Sequence, residues 1–228
     1  IFMIGPERSL SAPGPEEDRL ASAAEIDGRA RVKVALVHYW LVGMRGGEKV
    51  LEALCRLFPQ ADIFTLVLDP ARISPTIARH RIKTSFLQRI GGRRHYQKML
   101  PLMPFALEAF DLTPYDLVVS SEAGPAKGII SAPDAVHVCY CHSPMRYIWD
   151  LQPQYCRDSG WFTRNALWAT GPLLRQWDVT TAARVDHFVA NSRFVARRIE
   201  KYYRREAEVI HPPVDLERPA ERARRRGP

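Results

Sequence analysis

Short runs of consecutive apolar residues alternate along this chain with stretches whose apolar positions recur every three or four residues. Val34-Ala35-Leu36-Val37 is such a run, the pattern of a strand covered on both faces. After Gly43 and Arg45-Gly46-Gly47, the residues Val50, Leu51, Leu54, Leu57 and Phe58 fall at helical spacing, so a helix is expected over 47–58. Further strands are expected over 62–68, 81–84, 116–120, 136–141, 187–190 and 207–210. Between them the spacing predicts helical segments over 93–110, broken at Pro101 and Pro104, and a short helix over 125–130 opened by Pro125. A long helix is expected over 161–185, interrupted at Gly171-Pro172, and another over 193–203, capped by Asn191-Ser192. Strands that alternate with helices form βαβ units and a mostly parallel sheet, and right-handed crossovers make it doubly wound. The fold class expected is therefore α/β and Rossmann-like.

In such a sheet, ligands gather beyond the C-terminal strand ends. Gly46 and Gly47 follow the first strand, Glu122 and Lys127 the fourth, His142 and Arg146 the fifth, and Ser192 and Arg193 the sixth. Two glycines at a strand-to-helix junction let a bulky ligand approach the backbone, and a helix starting there offers free N–H groups to a phosphate. A plain tight turn fits the same residues, because neither the dinucleotide fingerprint nor the phosphate-loop motif is present. Taken singly, His142 also fits a satisfied strand-end histidine, Lys127 a solvated helix residue, and Arg146 an ion pair with Asp150. Trp149, Trp161, Trp168 and Trp177 read as core or domain-contact residues.

The 228 residues allow one large domain plus tails, and no apolar run approaches the ~20 residues of a membrane span. Residues 1–31 are rich in proline and acids and poor in large apolar groups, so they read as a disordered tail ahead of a domain over 32–215. No signal-peptide pattern opens the sequence, which gives an expectation of a cytoplasmic protein. Cys55, Cys139, Cys141 and Cys156 lack metal-site spacing and read as reduced thiols, and no metal is expected. The net charge is +8, and much of the excess lies late, from Arg193 through Arg205 and on to Arg226. That charge suits an anionic membrane surface on the inner face as a peripheral contact. No helix-turn-helix or stacking signature for nucleic acid is present.

Four segments carry a resemblance. Arg45-Gly46-Gly47-Glu48-Lys49-Val50-Leu51, then Tyr140-Cys141-His142-Ser143-Pro144-Met145-Arg146-Tyr147, then Val189 to Ile199, and finally Val209-Ile210-His211-Pro212-Pro213-Val214-Asp215 resemble, in that order, the N-terminal half of family-4 retaining glycosyltransferases. The His142-Ser143-Pro144-Met145-Arg146-Tyr147 version is similar to the branch that includes mannosyltransferases of surface-polysaccharide assembly. The resemblance implies a GT-B architecture, two Rossmann-like domains facing a cleft, with the acceptor on the first and the nucleotide-sugar on the second. It implies that residues 32–215 are the first domain and 216–228 a basic linker or truncated tail, with the donor domain absent. Such a chain is expected to be inactive alone. By the same resemblance Gly46 and Gly47 approach the donor diphosphate, and His142 is the catalytic contact to the donor sugar near its reacting carbon. Glu122, Lys127, Arg146 and Arg193 are looser candidates for the acceptor or phosphate side, placed by strand-end position. The implied reaction moves a hexose, with mannose a candidate, from a nucleotide-sugar to a glycan or lipid-linked acceptor with retention and without a cofactor. A non-catalytic module that holds an anionic lipid or a nucleotide-like ligand is the alternative.

Overall fold

The computed structural model describes residues 32–214; the tail expected over 1–31 and the basic stretch at 216–228 lie outside them. The strands are β1 (Val34–His38), β2 (Asp62–Thr65), β3 (Ile82–Thr84), β4 (Leu117–Glu122), β5 (Val136–Cys141), β6 (His187–Ala190) and β7 (Glu208–Val209). All pair in parallel, in the order β3-β2-β1-β4-β5-β6-β7. The helices are α1 (Gly46–Leu57), α2 (Pro75–Ala78), α3 (Gly92–His95), α4 (Met103–Glu108), α5 (Gln152–Asp158), α6 (Trp161–Ala182) and α7 (Arg193–Tyr203). The fold is α/β and Rossmann-like, as the alternation predicts.

Every residue of β1 is buried, because both faces of the sheet are covered. Ala35 and Val37 point into one core with Phe64, Leu107, Val118 and Ile129. Val34 and Leu36 point the other way, into a core closed by Leu51 and Cys55 of α1. Each Val, Leu, Ile or Phe among them contributes about 1.5–3 kcal/mol by leaving water. A third cluster joins Cys139 and Cys141 of β5 to Phe188, Ile199 and Tyr203. The chain leaves β1 toward β2 and returns to its other side as β4, so the connections diverge at their C-terminal ends and leave a crevice there.

Three expectations need correction. The fourth strand runs on through Ser121 and Glu122, because these pair with Tyr140 and Cys141. Residues 125–130 form a single 3-10 turn over Ala126–Gly128, under the Trp177 ring. The long helix continues through Pro172; in the turn before it, the Ala166 carbonyl accepts from Thr170 Oγ1 at 2.7 Å and the Leu167 carbonyl from Gln152 Nε2 at 3.3 Å. Of the tryptophans, Trp149 and Trp177 pack partly buried and donate to Asp178 and Glu108, whereas Trp161 and Trp168 are 62% and 78% exposed and join no core. No helix among the described residues is long and apolar enough to cross a membrane.

Candidate functional site

The glycines come first. They do not form a loop: Gly46 and Gly47 are the first two residues of α1, and neither has a positive φ. Arg45 precedes them, and its backbone N–H donates to the Glu48 carboxylate at 3.0 Å, which fixes the helix start. Gly47 faces the end of the sheet. A Cβ there would sit 3.4 Å from His38 Cε1, 3.5 Å from His142 Nε2 and 3.7 Å from the Tyr39 hydroxyl oxygen. Gly46 has open space before it.

His142 follows β5 directly. Its backbone N–H donates to the Glu122 carbonyl at 2.6 Å, and its own carbonyl accepts from Asn191 Nδ2 at 3.1 Å. The ring is held at Nε2 by the Ser121 hydroxyl, 2.9 Å away, and meets the Tyr140 ring edge-on at 5.3 Å. Burial pushes the His142 pKa down to about 4, so the imidazole is neutral at neutral pH. His38, fully buried behind Gly47, is pushed down to about 3, first by burial and then by His142. Burial, then the charge of Glu48, raises the Tyr39 hydroxyl to about 12, so it stays a neutral donor.

Tyr39, Gly46, Gly47, His142, Asn191 and Pro212 line a cavity of about 460 Å³ over β1, β4, β5 and β6. Its far wall, residues 210–214, is tied to the sheet by Tyr140 Oη donating to the Ile210 carbonyl at 2.8 Å and by His211 Nδ1 at 3.1 Å from the Asn191 carbonyl. The structure thus brings Gly46, Gly47 and His142 together. Their neighbours Tyr39, Ser121 and Asn191 escaped sequence reasoning. Asn191 reads as a helix cap, but Ser192 takes that role, accepting from Val195 N at 3.3 Å, and frees Asn191 to hold the His142 loop. The usable signal for all three was position, since each stands at or just past a strand end.

Glu122 and Lys127 require correction as acceptor-side or phosphate-side groups. Both are completely buried and outside the cavity lining. Lys127 Nζ donates to Asp178 Oδ1 and lies 3.8 Å from Glu122 Oε1. Asp178 Oδ2 accepts from Trp149 Nε1 at 2.7 Å and from the Tyr203 hydroxyl at 2.9 Å. Burial works against the Lys127 charge, yet Asp178 and Glu122 outweigh it and hold the pKa above the ordinary lysine value. Burial lifts Glu122 to about 7 despite the Lys127 charge. This is a structural network closed to ligands.

Arg146 and Arg193 are exposed and lie outside the cavity lining. Asp150 does not pair with Arg146; it accepts from Arg198 Nη2 at 2.6 Å. Within the late basic run, Arg198 is therefore committed, and Arg205 donates to the Ala182 and Asp186 carbonyls at 3.0 Å each. The arginines after residue 214 lie outside the described residues.

Residues 44–218 match the sequence profile of Glycosyltransferase Family 4, most of the chain and all of the segments that build the cavity except Tyr39. The chain belongs to glycosyltransferase family 4. Among solved structures, this family-4 chain is similar to one described as "lipopolysaccharide outer core galactosyltransferase WaaB apo form", at 12% identity and a TM-score of 0.42. The similarity covers 82% of this chain and 47% of that one, so the chain spans about half the length of that protein. No curated protein sequence matches.

Proposed function

We propose that this family-4 domain takes part in moving a hexose, with mannose the first candidate, from a nucleotide-sugar to a glycan or lipid-linked acceptor with retention. The observation that carries the reading is the approach of Gly47 to His142: the space that a Cβ at Gly47 would fill lies 3.5 Å from His142 Nε2, at the crevice between β1 and β4. The first N–H groups of α1 have no partner within the helix, and its dipole is positive at that end, so a diphosphate seats well against Gly46 and Gly47. The neutral His142 ring, steadied by Ser121, then donates to or accepts from the sugar hydroxyls.

In this reaction no protein nucleophile is required. The diphosphate leaves as its charge is stabilised, and the acceptor hydroxyl attacks from the same face. Positioning and charge stabilisation supply most of the acceleration. In the two-domain architecture that the resemblance implies, the diphosphate is held from both sides of a cleft. This domain is proposed to hold one side, so alone it transfers sugar slowly.

Titrating a nucleoside-diphosphate hexose into the isotopically labelled chain tests the reading. The amides of Gly47, His142 and Asn191 should shift together, and His142→Ala should reduce the response. Shifts confined to another surface would refute it.

A further inference from the structure

A second cavity lies on the same edge of the sheet, over β1, β2 and β3, and no role above uses it. It is the larger of the two, about 640 Å³, and its lining brings together Arg45, Arg72, Arg89, Arg93, Arg94 and His95. Three different loops supply them. Arg45 follows β1, Arg72 follows β2, and residues 89–95 follow β3. Asp69 is the acid of this lining, and it is already engaged, 3.5 Å from Arg72 Nε and 3.2 Å from Arg93 Nη2. No ion pair to Arg45, Arg89 or Arg94 occurs among the described residues.

The loops are tied to one another. Gln88 grips the Leu68 backbone in both directions, accepting at 2.9 Å and donating at 3.0 Å. Leu41 N–H donates to the Val67 carbonyl and Asp69 N–H to the Leu41 carbonyl, each at 2.7 Å. The arginines therefore stand on a braced frame. Like charges held in one concavity repel each other, and an anion that enters relieves that repulsion. Guanidinium groups match phosphate oxygens two at a time.

We propose that this cavity binds a phosphate or diphosphate group, and that the group belongs to the acceptor. The second clause rests on the transferase reading above. The bridge between the two cavities supports it. Tyr39 borders the His142 cavity, Tyr96 borders the arginine cavity, and Trp40 lies between them, with ring centroids 4.4 Å from Tyr39 and 4.7 Å from Tyr96. An acceptor anchored by its phosphates among the arginines lays its saccharide along these rings, with the attacking hydroxyl toward His142. The three rings are partly buried on the core, edge-on or tilted to one another, and the apolar parts they leave uncovered suit the C–H bonds of a sugar ring. The acceptor is thus a phosphorylated saccharide, either lipid-linked through a diphosphate or soluble.

Calorimetric titration of the 228-residue chain with inorganic pyrophosphate, farnesyl diphosphate and farnesol tests this. Both diphosphates should bind and farnesol should not. Arg89→Ala/Arg94→Ala should weaken both at least tenfold, whereas the charge-matched Arg157→Ala/Arg164→Ala should change affinity less than twofold. All four arginines are exposed, so melting temperatures should stay within a degree or two of the parent. Tighter binding of farnesyl diphosphate than of pyrophosphate indicates a lipid-linked acceptor, and equal binding a soluble one; either supports the site. Equal weakening by the two double variants, or no binding by the parent, overturns it. The nucleoside-diphosphate hexose titration, run on Arg89→Ala/Arg94→Ala, separates the two claims. A response at Gly47 and His142 that survives there upholds the transferase reading whatever the arginines do. Its failure in the parent sinks that reading and leaves the anion site to be judged by pyrophosphate.

Discussion

Replacing Lys127 by Met keeps the length of the side chain and removes the cation held between Asp178 and Glu122. All three groups are fully buried, so water cannot take over the solvation that Lys127 provides. A buried pair broken from one side costs about 3–5 kcal/mol, because the remaining charge stays in a low-dielectric interior. For a chain of this size that corresponds to a fall in Tm of roughly 6–20 °C. The source of the loss can be checked with Lys127→Met/Asp178→Asn. Trp149 and Tyr203 both donate to Oδ2 of Asp178, whereas Lys127 uses Oδ1. An Asn oxygen in the Oδ2 position keeps both donors satisfied and removes the stranded charge. The double variant should then be more stable than the sum of the single changes by about 2–3 kcal/mol. Urea unfolding of the parent and the three variants, monitored by tryptophan fluorescence, gives all four stabilities. A loss below about 1 kcal/mol for Lys127→Met, or strict additivity in the cycle, would refute the claim that this buried ion pair stabilises the domain.

Gly46→Ala should raise stability by about 0.5–1 kcal/mol, since nothing lies within 4 Å of its new methyl, yet it should weaken nucleotide-sugar binding if the diphosphate uses that space. Gly47→Val should displace the His142 ring, while Gly47→Ala, whose Cβ meets its neighbours at 3.4–3.7 Å, should be accepted; amide spectra distinguish the two. Gly128→Ala drives a Cβ to within 2.2 Å of the Trp177 ring and should cost about 1–3 kcal/mol, read from chemical unfolding. Glu122 has a folded pKa of about 7 against an ordinary 4.5, so its contribution to stability is complete below about pH 4.5 and is lost as pH rises through about 7. That difference corresponds to about 3 kcal/mol, and Glu122→Gln should remove the corresponding slope from a stability profile between pH 4.5 and 8.

Where local chemistry decides structure, the sequence was legible. Ser192 caps α7, and β6 ends against it, so the ranges 187–190 and 193–203 agree with the structure to the residue. β1 announced itself as an unbroken apolar run, Val34 to Val37, whereas the buried Ser121 and Glu122 hid the end of β4. Lys127 and Glu122 were misread because a charged residue carries no mark of burial, and the deciding partner, Asp178, stands 51 residues from Lys127. Gly46 and Gly47 looked like a loop because glycine is a poor helix former; Arg45 and Glu48 set the helix start one residue earlier than apolar spacing alone indicates. The arginine cavity left no trace, since its members come from three loops that only the strand order brings side by side.

The strand order also bears on how the chain is made. Among the described strands β1 comes first in the chain, and it ends up inside the sheet, where it needs partners on both sides. One partner, β2, follows soon. The other, β4, closes only when Asp116 meets Lys33, 83 residues apart. Until then one long edge of the most apolar strand stands open. Closing so large a loop is slow, and an open apolar edge invites intermolecular pairing. The expected liability is thus aggregation of nascent chains stalled before residue 117 and not of the finished domain. Slowing translation after β4 should raise soluble yield, and slowing it before β4 should lower it.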